Sequence, residues 1–148
     1  MPATPGTVQI YAAGLQKWQR GLIPVQTAGC FRGLLVGSDY VPNYETHTNV
    51  THITDEQYGD DWPQGGVVLT GVDISIDAAN NRTELRIDSI NESPASIADG
   101  QALVIYHDLP PSPTDKALFA LIVFDQALKP VYGPVAIAAP DGVFRTGY

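Results

Sequence analysis

From Gly21 onward the apolar residues fall into short runs divided by Gly, Pro and Asx turns, which is the spacing of strands rather than of long helices. Residues 30–36 form one mostly apolar run. Residues 67–76 open after the pair Gly65-Gly66 and settle into alternation, with Val72, Ile74 and Ile76 on one face and Asp73, Ser75 and Asp77 on the other, so a half-buried strand is expected. Beyond a turn over residues 78–81, Leu85 and Ile87 alternate with Glu84, Arg86 and Asp88, and the two segments read as an antiparallel hairpin whose apolar faces share one core. Residues 102–106 and 117–124 are continuous apolar runs, short enough for central strands, with the proline loop 109–113 between them. Ile122, Val123 and Phe124 favour strand over helix in the second. Residues 131–138 and 143–145 are the last candidates, and Pro130, Pro134 and Pro140 mark edges or bulges.

One segment has a different period. Val8, Tyr11, Leu15 and Trp18 recur at helical spacing, with Thr7 placed to cap the start, Lys17 and Arg20 in the last turn and Gly21 at the end, which predicts a helix over residues 8–20 packed by its aromatic stripe on the sheet. Ahead of it, two prolines and a glycine in the first six residues suit an arm (residues 1–7) that is flexible or orders against a neighbour. The expected architecture is mainly β: an antiparallel β-sandwich or partly open barrel carrying one N-terminal α-helix. Residues 8–148 form a single domain, a size that buries a sufficient core without disulfides or a structural metal.

Charge and cysteine usage narrow the function. A net charge of −8 with only eight Lys and Arg argues against neutralising phosphates, so nucleic acid is not an expected partner. The single Cys30, flanked by Ala28-Gly29 and Phe31, reads as a buried inert thiol. The start Met1-Pro2-Ala3-Thr4-Pro5-Gly6 lacks the basic and apolar regions of a signal peptide, and no segment approaches the roughly 20 apolar residues that span a bilayer. A protein folded in a reducing cytoplasm, with no membrane partner, is expected.

Residues 38–66 hold most of what could be chemistry: Asp39, Glu45, His47, His52, Asp55, Glu56, Asp60 and Asp61 interleaved with Tyr40, Tyr44, Tyr58 and Trp62. Two imidazoles and a carboxylate would suit zinc or non-haem iron, but the spacing of His47 and His52 matches no ligand motif. Residues 55–61 lack the alternate oxygen donors and closing Glu of a calcium loop. His107, Asp108 and Ser112 supply triad residue types without a nucleophile elbow, and their proximity in sequence argues against convergence in space. The phosphate-loop and dinucleotide glycine patterns are missing, so no cofactor is expected. A long irregular stretch of this kind is more often a contact surface.

The order of motifs carries a resemblance. Residues 33–42 (Gly-Leu-Leu-Val-Gly-Ser-Asp-Tyr-Val-Pro), Thr46-His47, Tyr58, residues 65–71 (Gly-Gly-Val-Val-Leu-Thr-Gly), residues 102–108 (Ala-Leu-Val-Ile-Tyr-His-Asp), residues 121–125 (Leu-Ile-Val-Phe-Asp) and Gly142-Val143-Phe144-Arg145 together resemble a family of small virion proteins of tailed bacteriophages. The chain departs from the family at Asp60-Asp61-Trp62-Pro63, where a glycine- and tyrosine-rich turn is more usual. The resemblance implies a structural role without catalytic residues or cofactors. The protein would be a minor capsid or decoration protein, made in the host cytoplasm, that docks on the outer face of the virion capsid. Its partners would be the major capsid protein and copies of itself, commonly in closed rings. A tail-tip or fibre-associated module that meets tail proteins is the alternative within the same family, and a small metal-dependent enzyme using His47 and His52 is the alternative outside it. Candidate contact residues are Pro2, Thr4, Pro5 and Thr7 in the arm and Tyr40, Tyr44, Tyr58 and Trp62 in the long loop, because Tyr and Trp dominate interface hot spots.

Overall fold

The computed structural model describes residues 3–23, 29–108, 116–140 and 142–147. Eleven strands and one short helix follow in the order β1 (Pro5–Ile10), α1 (Ala12–Gln19), β2 (Phe31–Val36), β3 (Glu56–Gln57), β4 (Val67–Val68), β5 (Asp73–Asp77), β6 (Arg82–Arg86), β7 (Ile90–Ala95), β8 (Gly100–His107), β9 (Leu118–Leu128), β10 (Gly133–Ile137) and β11 (Phe144–Gly147). The fold is mainly β, as the pattern predicts, and among the described residues no sheet closes into a barrel. A six-stranded antiparallel sheet runs β1-β9-β8-β2-β3, with β4 also pairing β2; β10 pairs β7, and β11-β6-β5 form a third sheet.

The apolar runs of the central strands follow from burial on both faces. On one face Phe31, Leu35, Leu103, Ile105, Ile122 and Phe124 enter the larger core, which the smaller sheets and their connections close with Trp62, Leu69, Leu85, Ile90, Val135 and Ile137. On the other, Leu34, Val36, Val104, Tyr106 and Leu121 meet Tyr11, Tyr40 and the half-buried Tyr44, Val50 and Ile53. Strand alternation therefore sends successive residues into different cores, and both need apolar side chains. A register shift in β9 between the partners of Ile105 and Tyr106 leaves Phe119 as an extra residue, whose ring packs 5.2 Å from Phe31 and 5.8 Å from Trp18.

Four expectations need correction. The helix spans Ala12–Gln19, not residues 8–20; it starts at Tyr11 with no side-chain cap, and Thr7 lies in β1. Val8 and Ile10 alternate with Thr7 and Gln9, and pairing with β9 overrides the helical spacing that Val8 shares with Tyr11. The end is as expected: Gly21 takes φ +70°, and its N–H and that of Leu22 close on Trp18 and Lys17.

The arm is the second correction, since Pro5 and Thr7 belong to β1 and Ala3 is buried in a bridge to Ile137. These residues are ordered on this chain itself. The third is the strand expected over residues 67–76, which is β4 and β5 separated by a bend at Gly71 (φ +63°), against which the Asp88 carboxylate packs. The fourth concerns the hairpin face: β5 and β6 pair as expected and Leu85 and Ile87 are buried, but Ile74 and Ile76 on the other strand are 36% and 74% exposed. β7, which carries Pro94, has no counterpart in the expected elements, and the proline loop 109–113 lies outside the described residues.

Candidate functional site

The long loop folds back over the second face of the large sheet and is tied down by its own polar groups. The Asp55 residue holds φ +56°; its carbonyl accepts from the Gly37 N–H (2.9 Å) and its carboxylate from the Asp39 N–H (3.0 Å) and Gln57 Nε2 (3.0 Å). Asp99 accepts from the Ser38 N–H and hydroxyl, while Glu56 accepts from the Gly65 N–H. These carboxylates close turns at the end of β2. Among the described residues no group of three or more His, Cys, Asp and Glu is placed to hold a metal ion.

The structure does bring His47 and His52 together, stacked with ring centres 5.6 Å apart and planes 5° from parallel. Each Nδ1 accepts a backbone N–H, His47 from Asn43 (3.2 Å) and His52 from Thr48 (3.2 Å), which fixes both rings in the form protonated at Nε2. His52 also completes a reciprocal cap with Asn49, whose side chain accepts from the Thr51 N–H. The Tyr40 hydroxyl then donates to His47 Nδ1 (2.9 Å), while its oxygen accepts from the Tyr11 hydroxyl (2.8 Å). Burial pushes the phenols of Tyr11, Tyr40 and Tyr44 up, so these hydroxyls stay protonated. The Tyr40–Tyr11 hydrogen bond anchors the loop to Tyr11, between β1 and α1.

Most of the loop's exposed residues are polar, but one part of its outer surface is apolar. Tyr40, Pro42 and Tyr44 overhang Val36, Leu121 and Val123 of the sheet and enclose an open cleft of about 220 Å³. Val41 beside it is 78% exposed and Val123 39% exposed, although β9 is otherwise buried through Phe124. Of the expected contact residues, Tyr40 and Tyr44 line this cleft, Tyr58 is exposed elsewhere on the loop, and Trp62 is wholly buried in the larger core. Thr4 and Thr7 are exposed and Pro5 half-buried, whereas Pro2 lies outside the described residues. Asp108, the central member of the triad grouping, lies 3.7 Å from Arg32 and 3.5 Å from Lys116, and Ser112 lies outside the described residues.

Two features have no counterpart among the expected residues. The turn between β9 and β10 exposes Val131 by 90% and Tyr132 by 70%, with Tyr132 held at φ +48°. On the third sheet, the Glu84 carboxylate has no exposed side-chain surface and is met by Arg82 (2.8 Å), Arg86 (2.7 Å) and Arg145 (3.3 Å). The alternation of Glu84 with Leu85 hinted at a polar face, but only the register of β11 on β6 places Arg145 opposite Glu84. Among the described residues no helix is long and apolar enough to cross a membrane. No protein-family model matches the chain, and neither does any curated protein or solved structure.

Proposed function

We propose that this chain is a structural protein of a tailed-phage particle, a minor capsid or decoration protein that binds the assembled shell through protein–protein contacts and stabilises it. The observation that carries this reading is the cleft of Tyr40, Pro42 and Tyr44 over Val123, flanked by the exposed Val41: apolar surface held in a fixed shape by buried hydrogen bonds, as a docking site requires. The motif order described above adds the particle context. A shell-bound copy acts by mass action. Binding only the assembled lattice stabilises it by about 4 kcal/mol per site at a thousandfold excess over the dissociation constant.

The test is binding of the purified protein to capsids that lack it, read as copy number and position in a reconstructed particle. Ordered density at repeated lattice positions, with the Tyr40–Tyr44 turn in contact, is the expected result. Density on the tail with none on the head replaces this reading by the tail-module one, and density on neither overturns both.

A further inference from the structure

Among the described residues the large sheet ends at β1, and that edge faces a second cleft. The Tyr11 N–H donates to the Phe119 carbonyl (2.9 Å) in the same register that pairs Gln9 with Leu121, so Gln9 and Tyr11 turn their backbone groups towards β9. Val8 and Ile10, one residue out of phase, turn theirs away from it. At the start of the strand this outer side is occupied: the Ala3 N–H donates to Ala136 (2.7 Å), and its carbonyl accepts from Ala138 (3.0 Å). Past Ala138 the chain departs, leaving a cleft of about 490 Å³ between Gly6, Val8 and Ile10 on one side and Pro140, Val143 and Arg145 on the other.

Two properties define the occupant. The cleft has two walls, which suits a single extended segment. Its outer wall also carries positive charge on a chain of net −8: Arg145, whose guanidinium lies against Gly142, belongs with Arg82 and Arg86 to the group around Glu84, three of the five arginines of the sequence. We propose that the cleft receives an extended acidic segment of a partner protein. That segment adds as a strand to β1, hydrogen-bonds to the backbone of Val8 and Ile10, and places a carboxylate on Arg145. This inference is independent of the particle reading and holds for any partner with such a segment.

The probe is a panel of fluorescein-labelled octapeptides of alternating valine and threonine, with one aspartate moved through the eight positions, and the matching lysine panel. Saturable anisotropy is expected for aspartate peptides, together with shifts of the Val8 and Ile10 amide signals in the ¹⁵N-labelled protein. Val8→Pro removes a donor that faces the cleft and not β9, and is expected to weaken binding at least tenfold with melting unchanged. Arg145→Gln is expected to abolish the preference for aspartate over lysine. Absence of saturable binding across the panel, binding that leaves the two amides unmoved, or equal aspartate and lysine affinities for the unsubstituted protein each overturn the proposal. The amide readout decides even where Val8→Pro fails to fold.

Discussion

Gly14 of α1 and Phe119 of β9 meet with no room for a side chain between them: a Cβ on Gly14 would lie 2.6 Å from the Phe119 Cα and 2.5 Å from the Leu118 carbonyl oxygen. Backbone stands on both sides of this contact, so a methyl cannot be accommodated by a side-chain rotation. Gly14→Ala, which raises intrinsic helix propensity by about 1 kcal/mol, is therefore expected to destabilise by about 1–3 kcal/mol through forced separation of helix and sheet. Urea unfolding of the two proteins measures it. An unchanged or raised midpoint contradicts the close packing.

Glu84 is the second place where one residue organises several elements. Its carboxylate is fully enclosed, and the arginines reaching it come from β6 and β11, so the pairing of the third sheet depends on charge as well as on Leu85. Loss of one partner of a buried pair costs about 3–5 kcal/mol. Here Arg82, Arg86 and Arg145 keep 26%, 55% and 37% of their side-chain surface and regain water by turning outward, so about 2 kcal/mol is expected for Glu84→Gln. Chemical denaturation gives the difference, and protection of the Arg145 amide in hydrogen exchange shows whether β11 is the strand that loosens.

The chain discloses its central strands and conceals its edges, for a physical reason. β8 and the first part of β9, through Ile122, are apolar at nearly every position because both faces are buried, and that pattern has few other solutions in so short a run. β1 is harder, since Val8 and Tyr11 fit a helical stripe as well as a strand followed by a helix, and only the partner β9 separates the two. Ile74 and Ile76 have the alternation of a buried face without being buried, because burial depends on what the rest of the chain lays over that face. The site was legible in part. Aromatic density drew attention to residues 38–66, where Tyr40 and Tyr44 line a cleft, but composition cannot distinguish an aromatic that lines a cleft from Trp62, which fills a core. The Arg145–Glu84 contact joins residues far apart in sequence and needs strand register to be seen.

Trp62 is a structural residue, and its two ends have different values. Its ring is wholly buried in the larger core, while its Nε1–H has no hydrogen-bond partner among the described residues. Trp62→Phe keeps most of the packing and removes a donor whose burial is uncompensated, so its cost is expected to stay below about 1.5 kcal/mol. Trp62→Ala leaves a cavity and is expected to cost about 3–5 kcal/mol. The ratio of the two, from thermal or urea unfolding, separates packing from polarity; equal losses would mean that the indole N–H is satisfied in solution.

Cys30 is wholly buried beside Phe31, and burial pushes its thiol up, so the thiolate that reacts with disulfide reagents is scarce as well as inaccessible. Modification by an aromatic disulfide is expected to be slow in native buffer and to become fast and stoichiometric in denaturant. The native rate should then follow the opening equilibrium, rising in Gly14→Ala and Glu84→Gln in proportion to their loss of stability. Rapid native labelling that is indifferent to these substitutions would place the thiol at the surface.

Two carboxylates on the loop side give the stability opposite dependences on pH. Asp99 is held below the ordinary carboxylate range by hydrogen bonds from Gln101 and then Ser38, so it stabilises the fold above its unfolded value and loses that contribution as pH falls through the lower folded value. Glu56 is pushed up by burial, only partly offset by the Gly65 N–H, so the folded chain holds its proton more tightly than the unfolded chain does. Its ionisation therefore costs stability as pH rises through the unfolded and then the folded value. Glu56→Gln keeps an oxygen acceptor for Gly65 and removes this cost. Its melting temperature is expected to exceed that of the unsubstituted protein at pH 7, with the gap closing towards about pH 4, near the unperturbed glutamate value. Asp99→Asn is expected to be less stable than the unsubstituted protein at pH 7, with that gap closing on acidification below about pH 4. Melting curves of the three proteins between pH 3 and 7 test both signs at once, since a shared cause such as net charge would move both variants in the same direction.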